Sequence, residues 1–123
     1  MYRILVCDDE KDIVSALRIY LESEGYEVLE AYNGKEAVAL TAGQEIHLVL
    51  MDIMMPVMNG IDATKNIRQL NRPDATTIPI FAMTANAFSE DIKKSIEAGM
   101  NEHLSKPLDP NKMIELIAKY TKN

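Results

Sequence analysis

The chain has a single cysteine, Cys7, among 123 residues. One thiol cannot close an internal disulfide, and a zinc site built on paired cysteines would lack its second ligand. Glycine and proline number only 5 each, too few for a collagen-like or low-complexity chain. Basic residues are the minority, 13 Lys and Arg against 19 Asp and Glu, which leaves a formal net charge of −6. With no basic block either, the chain is a poor match for nucleic acid or an anionic membrane surface. No apolar run approaches the ~20 residues of a membrane span. The opening Met1-Tyr2-Arg3 leads into a short strand rather than a signal peptide, so the expected compartment is the cytoplasm.

What is present suits one domain spanning residues 1–123. Hydrophobic residues make up 47% and charged residues 26%, and a chain of this length can bury about two-thirds of its unfolded surface. Short apolar runs stand at Ile4-Leu5-Val6-Cys7, Leu48-Val49-Leu50-Met51 and Ile78-Pro79-Ile80-Phe81-Ala82-Met83, with weaker ones at Glu27-Val28-Leu29-Glu30-Ala31 and around His103-Leu104-Ser105. Continuous runs of this length, bounded by polar residues, predict strands covered on both faces, which means a parallel sheet. Between them lie stretches with helical spacing: Ile13, Leu17, Tyr20, Leu21 and Glu24; Ile92, Ser95 and Ile96; Met113, Leu116, Ile117 and Tyr120. Asn33 with Glu36 and Asn59 with Asp62 are spaced as helix N-caps, and Asp109-Pro110 places a cap before a first-turn proline. Gly25 and Gly99 stand where helices should stop. The pattern predicts strands near 2–7, 27–31, 47–51, 78–83 and 103–105, each followed by a helix.

Five such units with right-handed crossovers make an open, doubly wound α/β sheet. Ligands of these sheets bind outside the carboxyl ends of the strands, at the switch in strand order. The residues expected there are polar: Asp8-Asp9-Glu10 after the first strand, Asp52 after the third, Thr84 after the fourth and Lys106-Pro107 after the fifth. Each alone has a plainer reading, as a helix cap, a turn or a surface residue. Together they bring carboxylates to one edge, where mutual repulsion calls for protonation or a hard divalent cation. Oxygen ligands of this kind suit Mg²⁺. A lysine and a hydroxyl at the same rim could hold phosphoryl oxygens opposite the metal.

These motifs give the chain a resemblance over its whole length to bacterial response-regulator receiver domains. The residues that carry it are Ile4 through Glu10, Leu50-Met51-Asp52-Ile53-Met54-Met55-Pro56-Val57-Met58-Asn59-Gly60, Met83-Thr84-Ala85-Asn86 and Leu104-Ser105-Lys106-Pro107. The resemblance implies a flavodoxin-like fold with strand order 2-1-3-4-5 and helices on both faces. It implies that Asp52 is the phospho-acceptor, that Asp9 and Asp52 ligate Mg²⁺ directly and Asp8 through water, and that the Met54 carbonyl completes the protein's share. By the same resemblance Thr84 and Lys106 meet the phosphoryl group, the Lys106–Pro107 peptide is cis, and Met54 and Asn86 tune the lifetime of the phosphorylated state. The switch position three residues before the lysine is Tyr or Phe in most members; here it is His103. The implied donor is a histidine kinase or phosphotransfer domain, with a fused kinase or output domain as a further partner.

Two other classes use parts of this pattern. A Mg²⁺-dependent phosphatase with an aspartyl-phosphate intermediate shares the metal and nucleophile, but usually carries a second acid where this chain has Met54. A nucleotide- or flavin-binding domain needs a glycine-rich loop after the first strand, where this chain has Asp8-Asp9-Glu10-Lys11. The chain is therefore expected to act on itself as a switch, not as an enzyme with turnover. Cys7 is expected to be an inert buried thiol, and His47 and His103 lack metal-site spacing.

Overall fold

In the computed structural model, which describes residues 1–85 and 89–121 and leaves aside the side chains of 89–91, the apolar runs are strands and the periodic stretches are helices. The order is β1 (Arg3–Cys7), α1 (Lys11–Ser23), β2 (Glu27–Ala31), α2 (Gly34–Gly43), β3 (Leu48–Asp52), α3 (Gly60–Arg68), β4 (Ile80–Thr84), α4 (Ser89–Ala98), β5 (Glu102–Ser105) and α5 (Pro110–Thr121). All pairings are parallel, and the sheet order is β2-β1-β3-β4-β5. β4 begins at Ile80 rather than 78 because Pro79 has no N–H to donate, although its carbonyl still accepts from the Val49 N–H at 2.9 Å.

Alternation within each strand divides the core in two. Leu5, Cys7, Val49, Met51, Ile80 and Ala82 face α2 and α3, where Ala37, Ala63 and Ile67 meet them. Ile4, Val6, Leu48, Leu50, Phe81 and Met83 face α1 and α5, against Val14, Leu17, Leu21, Met113 and Ile117. Both faces of β1, β3 and β4 are thus covered, which is why these strands read as unbroken apolar runs. Burying each of the Val, Leu, Ile, Phe and Met side chains among them contributes about 2 kcal/mol. The helical stripes are shifted from the expected ones: Val14 is buried on α1 while Tyr20 is exposed, and on α4 and α5 Ile96 and Tyr120 lie outside. Spacing finds a stripe, but the sector that a sheet covers depends on how the helix is rotated against it.

The caps do what their spacing implies. Asn33 Oδ1 accepts from the Glu36 N–H at 2.9 Å, and Asn59 Oδ1 from the Asp62 N–H at 2.8 Å. Asp109 Oδ1 accepts from the Asn111 N–H at 3.1 Å. Gly25 and Gly99 take φ +88° and +110°, a region that favours glycine, where α1 and α4 end. Among the described residues, no helix is long and apolar enough to cross a membrane.

Candidate functional site

The sheet order puts the ends of β1, β3, β4 and β5 side by side, with β2 at the far edge. Backbone bonds fix their relative reach. The Ile53 N–H donates to the Met83 carbonyl at 3.1 Å, and the Lys106 N–H to the Thr84 carbonyl at 2.8 Å. Asp52 therefore leaves β3 beside β4, and Lys106 leaves β5 beside Thr84. The Lys106–Pro107 peptide is cis.

Asp8, Asp9 and Asp52 come together, with ligand oxygens all within 4.8 Å of one another. Asp8 is fully buried, Asp52 is 4% exposed and Asp9 faces solvent. Lys106 reaches into this group from 98 residues away, its Nζ 2.8 Å from Asp8 Oδ2 and 3.2 Å from Asp52 Oδ2. The sequence reading placed that ammonium opposite the metal, toward a phosphoryl group. In the structure it bridges two of the acids and is a third relief for their repulsion, beside a proton or a cation. The helix-cap reading of Asp8 also holds in part: its Oδ1 accepts from the Glu10 N–H at 2.9 Å, where Glu10 caps α1 without a side-chain bond of its own.

The electrostatics follow from this geometry. Burial, then the Asp8 charge, raises the Asp52 pKa from 3.8 to about 6, against the pull of Lys106 and the Met54 N–H. That N–H meets Asp52 Oδ1 at 3.1 Å. Burial alone would lower the Lys106 pKa, but its bonds to Asp8 and Asp52 prevail and the net shift is upward. The cluster holds three carboxylates and one ammonium, so ionised it carries an excess of two negative charges, two of its carboxylates being buried and the third at the surface. Every acidic donor is a hard oxygen. A divalent cation of the Mg²⁺ type fits both the charge and the chemistry.

The other expected residues are placed as follows. Thr84 ends β4 and is buried. The Met54 side chain is 75% exposed beside the acids, so only its backbone turns inward, through the N–H. Asn86 lies outside the described residues. His103, on the edge strand β5, is half-buried, and its Nε2 meets Ser95 Oγ on α4. The Ser95 hydroxyl also reaches the Ile92 carbonyl at 2.7 Å. The two contacts share the one Ser95 hydroxyl proton, so which of Ser95 and His103 donates depends on the imidazole tautomer. Burial lowers the His103 pKa, which favours the neutral ring. Cys7 is buried and its pKa is raised, first by burial and then by the Asp8 charge, so the thiol stays protonated. His47 Nδ1 accepts from the Arg3 N–H at 2.8 Å and serves the start of β1.

Sequence reasoning missed two partners. Ser95 was legible only as part of a helical stripe. Arg68, which ends α3, donates to the carbonyls of Gly99, Ala75 and Ile78 at 2.6, 3.0 and 2.8 Å, and to Asn101 Oδ1 at 3.0 Å. It ties the beginnings of β4 and β5 to α3. A lone arginine at a helix end gives no sign of this.

Residues 4–118 match the response regulator receiver domain family. The chain is 34% identical over 117 residues to the transcriptional regulatory protein CpxR of Klebsiella pneumoniae, a match that covers 95% of this chain and 48% of CpxR. The chain thus spans about half the length of that relative. Among solved structures, it is 31% identical to the receiver domain of the sensor histidine kinase PA1611 from Pseudomonas aeruginosa, with a TM-score of 0.89 over 97% of this chain and 96% of that one. That structure holds a magnesium ion coordinated in its active-site cleft. The chemotaxis protein CheY4 of Vibrio cholerae gives a TM-score of 0.91 at 27% identity, with 98% of each chain covered.

Proposed function

The chain belongs to the response regulator receiver domain family, and on that premise we propose that it is a phosphorylation switch whose acceptor is Asp52. A histidine kinase or phosphotransfer domain supplies the phosphoryl group. The N–P bond of a phosphohistidine breaks, its electron pair leaves with the imidazole, and a new O–P bond forms at the Asp52 carboxylate. With a pKa of about 6, Asp52 is mostly ionised near pH 7 yet poorly solvated, which favours it as a nucleophile. Asp8, Asp9, Asp52 and the Met54 carbonyl are the residues that would hold Mg²⁺. Bound there, Mg²⁺ would supply positive charge to the phosphoryl oxygens in transit. Lys106 exchanges its contact with the Asp52 carboxylate for one with a phosphoryl oxygen, and Thr84 donates its hydroxyl to another. The chain acts on itself, gaining and losing one group, and turns over no separate substrate.

The donor docks beside Lys106. There Ile13, Ala16, Leu17 and Tyr20 of α1 form an apolar recess with Pro107, Leu108 and Pro110. The readout runs the other way, through β4 and β5. A Thr84 hydroxyl drawn toward phosphate changes the packing around His103, and with it the surface of α4, β5 and α5 offered to a partner or a fused output domain. The reading places the chain in the cytoplasm.

The observation that carries the proposal is the burial of Asp52 between Lys106 and two further carboxylates at the carboxyl edge of the sheet. Incubation with Mg²⁺ and acetyl phosphate should add one phosphoryl group by intact mass. The label should map to Asp52, be absent in Asp52→Asn, and be blocked by trifluoroberyllate. Labelling that survives Asp52→Asn refutes the assignment, and continuous hydrolysis of excess phosphodonor favours the phosphatase reading.

A further inference from the structure

The loop joining β3 to α3 is shaped by a helix that gives no group to the acid cluster. Gly34 opens α2, and its N–H, one of those left over at any helix start, donates to the Met58 carbonyl at 2.8 Å. A Cβ at residue 34 would lie 2.2 Å from that oxygen and 2.8 Å from its carbon. Backbone atoms cannot swing aside as the tip of a side chain can, so only glycine lets the loop rest on the first turn of α2. The same loop holds Val57 at φ +67°, a conformation that β-branched residues avoid. The Met58 N–H closes that turn on the Pro56 carbonyl at 2.7 Å. Such a backbone persists only where its surroundings over-determine it. The surroundings here are the Gly34–Met58 bond on one side and the Gly60 N–H to Ile53 carbonyl bond, 3.0 Å, on the other. At the near end of the same loop stands Met54, whose N–H meets Asp52.

We infer that Gly34 is a positioning residue for the acid site: by seating Met58, it fixes the loop that carries the Met54 backbone to Asp52. The part of this inference that concerns metal rests on the proposed Mg²⁺ role of Asp52 and Met54. The part that concerns the loop does not. Gly43, at the other end of α2, supplies the control. A Cβ there meets nothing within 4 Å, and its backbone is not left-handed, so Gly43→Ala makes the same chemical change without touching the loop.

The experiment compares parent, Gly34→Ala, Gly43→Ala and Asn33→Ala, the last loosening the start of α2 by removing its cap. Two quantities are read: exchange of the Met54 amide in chelator, and the Mg²⁺ dissociation constant from amide shifts. Gly34→Ala should speed Met54 exchange and weaken Mg²⁺ binding at least tenfold each, while β1 amides exchange as in the parent. Asn33→Ala should do the same about threefold, and it carries the test if Gly34→Ala does not fold. Gly43→Ala should change neither. Met54 exchange and Mg²⁺ binding within twofold of the parent in Gly34→Ala, or in Asn33→Ala where that variant carries the test, overturns the inference. If the parent itself does not bind Mg²⁺, the proposed function fails, while exchange in chelator still decides the role of Gly34.

Discussion

Asp52→Asn removes one charge from the buried cluster and keeps the shape of the side chain, so in chelator it should stabilise the fold. The size follows from the pKa. In the native state Asp52 titrates near 6 instead of 3.8, roughly two units at 1.36 kcal/mol each, or about 3 kcal/mol. The sign is set by linkage. Between pH 4 and 6 the native state holds the Asp52 proton more tightly than the unfolded chain does, so stability falls as pH rises through that window and is level above it. The variant escapes this fall. At pH 7.5 it should be more stable than the parent by up to about 3 kcal/mol, near 10 °C in melting temperature for a chain of this size. By pH 4 the difference should shrink to about 0.5 kcal/mol. Saturating Mg²⁺ should narrow it at pH 7.5 by stabilising the parent more. Urea unfolding followed by circular dichroism, in chelator at pH 4, 5, 6 and 7.5, measures each quantity. A variant less stable than the parent at pH 7.5, or an advantage that persists undiminished at pH 4, would refute the clustered-acid argument.

Lys106→Met leaves Asp8 and Asp52 buried without their ammonium and should cost about 3–5 kcal/mol at pH 7.5 in chelator; a loss below about 1 kcal/mol in urea unfolding would mean that the lysine is not neutralising them. Arg68→Met should cost about 3 kcal/mol, because the carbonyls of Gly99, Ala75 and Ile78 lose their donor, and amide exchange should rise first around residues 99–101. His103, with a folded pKa below its ordinary 6.5, binds fewer protons in the native state than when unfolded. Its contribution is complete above pH 6.5 and falls as pH drops below it, so His103→Phe should flatten the stability profile on that side. An unchanged slope would show that the imidazole is not desolvated.

Strand positions were legible in the sequence because three strands are covered on both faces, so a short run such as Leu48-Val49-Leu50-Met51, bounded by polar residues, reads as a buried parallel strand. Caps were legible for a similar reason: the Asn33 side chain bonds a backbone N–H three residues on, which short-range geometry alone permits. The acids at the strand ends followed from those two readings and the rule that ligands sit at carboxyl ends. What lay beyond the sequence were contacts that chain distance hides. The strand-end rule put Asp8 and Lys106 on one rim, but nothing in the sequence announces that the ammonium, 98 residues later, bridges Asp8 and Asp52, and nothing near Met58 announces that Gly34 will lie against its carbonyl. Tyr20, Ile96 and Tyr120 kept helical spacing yet face outward, because periodicity records that a stripe exists and not how the helix turns against its sheet. Period, capping and propensity act over a few residues and are written where they act. The bridging of two acids by one ammonium, or of a loop by a glycine, depends on the order in which crossovers lay the strands side by side, and only the folded chain brings those atoms within reach.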